Sequence, residues 1–542
     1  MKIKSLLIGM LACTALVGCT SEDVPEVNNG NQENNGKGEE SYIAVNLKSA
    51  KIESRADGDS YDDGEDNENA VSKVLFFFFD ANGDAYAVDG DKNYLEEKIE
   101  MQAESSSVNV EEISKEILVI EKSKNVPPQQ ILAVLNAPDA LKATKKLSEL
   151  QALIGEYNGT TSAFVMSNSV YKHAATGKVV VATELNASNI AATSEAALKA
   201  PVDIYVERVA AKVRVTASYA ANATSFNTGI TTAAGDAIYA KIQGWKVTNI
   251  KSKAYLLKNI DATWADETLG FTWNDAPFFR SYWANTENTG DVKHPWKWSE
   301  LTNAVADTDD ADNWDYYYEN TDANTMGTDA EGAAVETAHK KSQLLVAADF
   351  VDKDGKTITI AEWFGAKYTI DNLKIAIANS VKSQIFIQGT DGSATSITSA
   401  DIDFFQEKDS APDNRYLSYA KLAKASESKS FVKADGKTSM DKDEVNAILN
   451  AVRPAKIWNE GGYYFMDIKH LAAKTGDVGE FGLVRNHLYD ITISGITGLG
   501  TPVYDPEKII TPEKPEGDES FIAARINILA WRVVSQSNVV LQ

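Results

Sequence analysis

"VSKVLFFFFDANGD", residues 71–84, sets the fold class. Within its first ten residues, 74–79 are an apolar, aromatic run bounded by Lys73 and Asp80, too short for a buried helix and well suited to a strand buried on both faces. Asn82-Gly83 directly after it is the dipeptide that turns a hairpin. The pattern recurs outward from there. "QILAVLN" (130–136), "SAFVMSN" (162–168), "KVVVATEL" (178–185) and "VDIYVERVAAKVRV" (202–215) read as further strands. So do "YAKIQGWKVTNI" (239–250), "AYLLKNI" (254–260), "QLLVAADFV" (343–351), "TITIAEWFG" (357–365) and "HLYDITISGI" (487–496). One helix is expected over 139–154, with Leu147, Leu150, Leu153 and Ile154 on one face. Many short strands at regular spacing predict a mainly β chain, with two β-sandwiches in tandem and a few short helices. The sequence carries no internal repeat at the periods of solenoids.

The chain has 542 residues, enough for a large core and more than one domain. A net charge of −25 argues against nucleic acid, whose phosphates require clustered Lys and Arg. At the N-terminus, Lys2 and Lys4 precede an apolar stretch from Leu6 to Val17 that is too short to span a bilayer as a mature helix. It ends in Leu16-Val17-Gly18-Cys19, which resembles the lipobox of bacterial lipoproteins and so predicts cleavage before Cys19 and a lipid on its thiol. The only other cysteine, Cys13, would leave with the signal, so the mature chain is expected to hold no disulfide. Residues 20–40 are polar and rich in Asn, Glu and Gly, a tether with a coil reach of roughly 25 Å.

Catalytic and metal signatures are not found in the sequence. The five histidines are not spaced as a metal pair, and there is no nucleophile elbow, phosphate loop or dinucleotide fingerprint. "DANGDAYAVDGD" (80–91) lacks the Gly and the final Glu of a calcium loop and reads as a turn. The acidic run at 57–68 reads as a solvated loop. No enzyme activity and no cofactor are expected. Two aromatic clusters, "HPWKW" (294–298) and "NWDYYYEN" (313–320), are candidates to stack on sugar rings, or else to cover a sandwich core.

The two ends of the chain are alike. Residues 40–47 read "ESYIAVNL" and residues 519–526 read "ESFIAARI". The first places Ile43, Val45 and Leu47 on one strand face and is followed by Arg55-Ala56 beside an acidic, Gly-bearing stretch, where a protease can bind extended chain. The second follows the Pro- and Glu-bearing linker "PEKIITPEKPEGDE" (506–519). One mechanism joins these features. The first strand plugs the N-terminal sandwich during export, and cleavage after Arg55 releases it and opens a sheet edge with an apolar groove. The C-terminal strand of a neighbouring copy, with Ile522, Ala524, Ile526, Ile528 and Trp531 as its donor residues, fills the groove by strand addition. Such a head-to-tail contact does not close and builds a fibre.

Those features together resemble the fimbrillin family of type V pili, most nearly the shaft subunits of the minor-fimbria type. Also similar to the family are "IYVERVAAK" (204–212), "YYFMDIKHL" (463–471), "LVRNHLYDITISGI" (483–496) and the closing "ILAWRVVSQSNVVLQ" (528–542). The resemblance implies transthyretin-like sandwiches, lipoprotein export to the outer membrane and Arg-specific maturation at the cell surface. It also implies polymerisation with identical subunits alongside fimbrial anchor and tip proteins, in a fibre that supports adhesion to a host or bacterial surface receptor.

The expected layout is a signal peptide (1–18), lipidated Cys19 and tether (19–40), removable strand (41–55), N-terminal sandwich (56–215), C-terminal sandwich (216–505), and linker with donor strand (506–542). Two other readings stand beside it. One is a surface lipoprotein that never polymerises and binds glycan through exposed aromatics; the other is a fimbrial tip or accessory protein. A solitary binder has no use for a cleavable strand. By family analogy an anchor would lack the Arg junction and a tip the donor strand.

Overall fold

The computed structural model describes residues 40–50, 61–62, 68, 70–98, 110–121, 126–157, 164–173, 176–261, 283–305, 314–406, 417–470, 478–503, 506–507, 509–510 and 521–531. The chain is mainly β. Its strands enter in the order β1 (Glu40–Ala50), β2 (Tyr61–Asp62), β3 (Val74–Phe79), β4 (Tyr94–Glu97), β5 (Val110–Glu121), β6 (Gln130–Leu135), β7 (Met166–Asn168) and β8 (Val202–Arg208). All of these except β2 form one sheet, ordered β4-β3-β6-β7-β8-β1-β5. Every residue of β3 is buried, as its apolar run requires. Phe76 and Phe78 face one core together with Leu118 and Ile120 of β5, at the far end of the strand order. The sheet therefore folds over on itself into two layers. Leu75, Phe77 and Phe79 face a second core shared with Leu256, Tyr318 and Val484 from the C-terminal half. The turn after β3 forms as expected: Asp80 Oδ1 accepts from the Asn82 and Asp84 amides, and Gly83 takes the positive φ.

The C-terminal half is a true two-sheet sandwich. One sheet joins β9 (Ala211–Ala217), β12 (Trp314–Tyr317), β20 (His487–Thr497) and β22 (Phe521–Trp531) in the order β12-β9-β20-β22-β2. The other joins β10 (Phe226–Thr231), β11 (Ala237–Thr248), β13 (Gln343–Val351), β19 (Gly462–Asp467) and β21 (Thr501–Pro502) in the order β10-β11-β13-β19-β21. Val213, Val215, Ile491 and Ile493 from the first meet Trp245, Val247, Leu344 and Val346 from the second.

Several expectations need correction. The expected helix over 139–154 is a 3-10 turn (Asp139–Ala143), a short helix α1 (Leu147–Ala152) and a strand beginning at Ile154. The run 202–215 is not one strand but β8 and β9, separated at Val209-Ala210 and paired into different sheets. A domain boundary placed at 215 consequently falls inside β9, which belongs to the C-terminal sandwich. Residues 178–185 form two short strands rather than one.

A further lobe was also not expected. Between β13 and β19, which pair directly (Leu345 opposite Phe465), the chain makes an excursion with its own core. Here β14 (Ile360–Trp363), β15 (Ala366–Thr369), β16 (Ile402–Gln406), β17 (Leu417–Leu422) and β18 (Ala455–Trp458) form a sheet ordered β15-β14-β18-β17-β16. It is covered by α3 (Ile370–Val381) through Leu373 and Ile377, and by α4 (Lys442–Asn450) through Val445 and Leu449. Thr369 and Asp441 cap the two helices, accepting from Asn372 and Glu444 amides. The remaining helical turn that matters for the site is α2 (Ser194–Ala197), beside β1.

Candidate strand-exchange site

β1 is an interior strand. It runs parallel to β8, with Val45 opposite Val202 and Leu47 opposite Ile204, and antiparallel to β5, from Glu40 opposite Glu121 to Ala50 opposite Val110. A bulge between Leu47 and Lys48 shifts the β5 register. Ile43, Val45 and Leu47 are each 0% exposed and pack among Phe76, Phe78, Leu118 and Ile204. The Tyr42 amide and carbonyl both bond Ala191, 2.9 Å each, which continues the pairing beyond the end of β8.

The sequence reading expected removal of this strand to open an edge. The structure places it instead between two flanking strands, so its departure would leave a slot with hydrogen-bonding walls on both sides. Among the described residues β5 has no strand partner other than β1. The slot and the seating of β5 are therefore one feature.

The outward face of β1 is polar. Asp203 of β8 accepts from Asn46 Nδ2 at 2.9 Å and pairs with Lys48 Nζ at 2.7 Å. On β5 the outward Ile117 and Val119, 37% and 43% exposed, lie opposite Ala44 and Tyr42.

β22, the expected donor, lies in the single chain on its own C-terminal sheet. It pairs antiparallel with β20, from Thr497 opposite Phe521 to His487 opposite Ala530, so Ile522, Ala524, Ile526 and Ile528 all fall within the ladder. Ile522 and Ala524 pack against the edge of the C-terminal core. Its far end pairs parallel with β2, Tyr61 opposite Ala530 and Asp62 opposite Trp531. The expected plug and the expected donor thus occupy different sheets. Arg55 and Ala56 lie outside the described residues, in the stretch of chain between β1 in one sheet and β2 in the other. Cys19 also lies outside them. The linker is partly docked, since Ile509 bridges Lys297 and the Ile510 amide donates to Trp296.

The structure corrects the glycan reading of the aromatic clusters. Trp298, Tyr317 and Tyr318 are buried, and half-buried Trp296 donates its indole N–H to the Val247 carbonyl at 2.6 Å. Tyr316 packs edge-on against Phe164, and Lys212 lies over the Trp314 ring. These residues build core and junction rather than a sugar platform.

A seam of buried charge between the two sandwiches escaped the sequence reading. Glu207 of β8 pairs with Lys258 at 2.9 Å, and both side chains are 0% exposed. Burial pushes the Glu207 carboxyl pKa up and that of the Lys258 ammonium down. Arg485 donates to Glu319 at 3.0 Å and to the Leu256 and Tyr255 carbonyls at 3.0 and 2.6 Å. Asn486, at positive φ, donates its amide to Ala210 and accepts from the Arg208 amide. Lys212 pairs with Glu68 at 3.1 Å. The signal was present in charged residues set inside the apolar runs "IYVERVAAK" and "LVRNHLYD". The seam fixes β8, and hence one wall of the slot, against the C-terminal sandwich.

Residues 458–537, which contain β19 to β22, match the family model described as major fimbrial subunit protein type IV, fimbrillin, C-terminal. Among solved structures the chain is similar to a fimbrilin from Porphyromonas gingivalis W83, at 13% identity over 91% of this chain and 99% of that one, TM-score 0.38. It is similar to a cell adhesion protein, so described as a candidate, from Parabacteroides distasonis ATCC 8503, at 13% identity over 92% and 99%, TM-score 0.37. A fimbrial anchor protein from Porphyromonas gingivalis is similar at 11% identity over 70% and 98%, TM-score 0.19. No curated protein matches the chain. The matched C-terminal segment, residues 458–537, is similar to the fimbrillins.

Proposed function

We propose that this chain is a shaft pilin that polymerises by exchanging β1 for β22 of a neighbouring copy. It is exported as a lipoprotein on Cys19 and held at the outer membrane. An Arg-specific protease cuts Arg55-Ala56 at the cell surface, β1 leaves, and the slot between β8 and β5 accepts the donor. Anchor and tip proteins terminate the fibre, which supports adhesion.

The observation that carries this reading is the interior position of β1, joined to the matching pattern of β22. Ile522, Ala524 and Ile526 repeat the spacing of the fully buried Ile43, Val45 and Leu47. A strand with apolar residues at every second position, running in the direction of β1, satisfies both walls and the core beneath. Because slot and donor lie on different sheets of one subunit, the contact is heterologous and propagates.

The test is a chain ending at residue 520. Treated with an Arg-specific protease, the full-length protein should give a ladder of polymers on an unheated gel, and the truncated protein alone should not. A ladder from the truncated protein would overturn the proposal.

A further inference from the structure

A strand with an apolar residue at every second position can enter a slot in several registers. Ile522, Ala524, Ile526 and Ile528 of β22 would still fill inward positions after a slip of two residues. Something else must fix the register, and the outward face of β1 shows what does so for the plug. Asp203 stands opposite Asn46 in the parallel ladder, accepts from its amide at 2.9 Å, and pairs with Lys48 two residues on at 2.7 Å.

Aligning the two like ends, Glu40–Leu47 with Glu519–Ile526, puts Arg525 at the place of Asn46 and Asn527 at that of Lys48. Plug and donor therefore each carry one cation and one amide, two residues apart on the outward face, in opposite order. The other outward positions of β22 are Phe521, Ala523, Leu529 and Trp531, none of them charged. A slip that brings Asn527 opposite Asp203 carries Arg525 out of its reach. The opposite slip leaves Arg525 at the place of Lys48 but brings Ala523 opposite Asp203, so only one register offers that carboxylate both a cation and an amide.

We infer that Asp203 is the register pin of the fibre, binding Arg525 and Asn527 of the neighbouring copy as it binds Asn46 and Lys48 of the plug. A guanidinium suits this role because it offers two parallel donors to one carboxylate. The inference rests on the strand-exchange reading and specifies its partner contact.

The experiment uses full-length protein carrying Asp203→Arg, Arg525→Asp, or both, each cleaved with an Arg-specific protease and followed by polymer ladder. Each single charge reversal should slow polymerisation about tenfold, and the double reversal should restore it. Because Asp203→Arg also loosens the plug, Asp203→Asn is run beside it, and the melting temperature of each precursor reports folding. Arg525→Asn with Asn527→Lys, which copies the order of the plug, should polymerise as the unaltered chain does. Single variants that polymerise normally, or a double reversal that gives no rescue, would overturn the pin. The chain ending at 520 separates the two ideas. If it polymerises, strand exchange itself fails; if it does not while the single variants are normal, only the pin fails.

Discussion

Emptying the slot should unseat β5. The perturbation is cleavage after Arg55 in a chain ending at residue 520, so that β1 can leave and no donor can enter. Ile43, Val45 and Leu47 are fully buried, and returning such side chains to water costs about 1.5–3 kcal/mol each, or about 5–9 kcal/mol together. The ladder between β1 and β5 runs from Glu40 to Ala50, and each lost backbone bond removes a further ~0.5–1.5 kcal/mol. These losses rival the whole stability of a domain, about 5–15 kcal/mol. They fall unequally on the two walls. β8 keeps β7 and the buried seam of Glu207 and Arg208, whereas β5 keeps no strand partner among the described residues. The assay is amide hydrogen exchange on precursor and on cleaved, plug-free subunit. Amides of residues 116–121 should lose protection by several orders of magnitude while those of β8 and β3 stay protected. Adding a peptide of residues 519–531 should restore them. Undiminished protection of β5 in the plug-free subunit would refute the coupling of wall and plug.

Four further outcomes follow from the same structure. Cys19→Ala should abolish incorporation of labelled fatty acid into the precursor, and undiminished labelling would exclude lipidation there. Arg55→Ala should give surface protein that retains residues 41–55, read by N-terminal sequencing; a new terminus at Ala56 in that variant would contradict the assignment. Lys258→Met should lower stability by about 3–5 kcal/mol in denaturant titration, because the buried Glu207 carboxyl loses its cation; a change under 1 kcal/mol, well below that ~3–5 range, would show the pair to be dispensable. Ala524→Val, which matches Val45 of the plug, should slow fibre dissociation about tenfold by adding two buried methyl groups, and faster dissociation would argue that the register is wrong.

Local chemistry was legible in the chain. Four adjacent phenylalanines and an Asn-Gly turn can only be accommodated by a buried strand and its hairpin, and β3 is that strand. "QLLVAADFV" is likewise β13 from end to end, since its length and apolar content admit no other use. The likeness of the two chain ends was readable for the same reason, because alternation is set by neighbouring residues along one strand. Pairing is set by packing between distant ones. Nothing in "VERVAAK" states that Arg208 closes a strand in one sheet and Ala211 opens a strand in another; the burial of Val209 and Ala210 between two cores decides it. Nor does an aromatic cluster disclose whether it faces water. Tyr317 and Trp298 are inside because sheets formed far apart in sequence close over them. The chain ends state that two strands are interchangeable in pattern. Only the fold makes one of them an interior strand with a wall on each side, because a slot is a relation between β1, β5 and β8 that no single stretch of sequence contains.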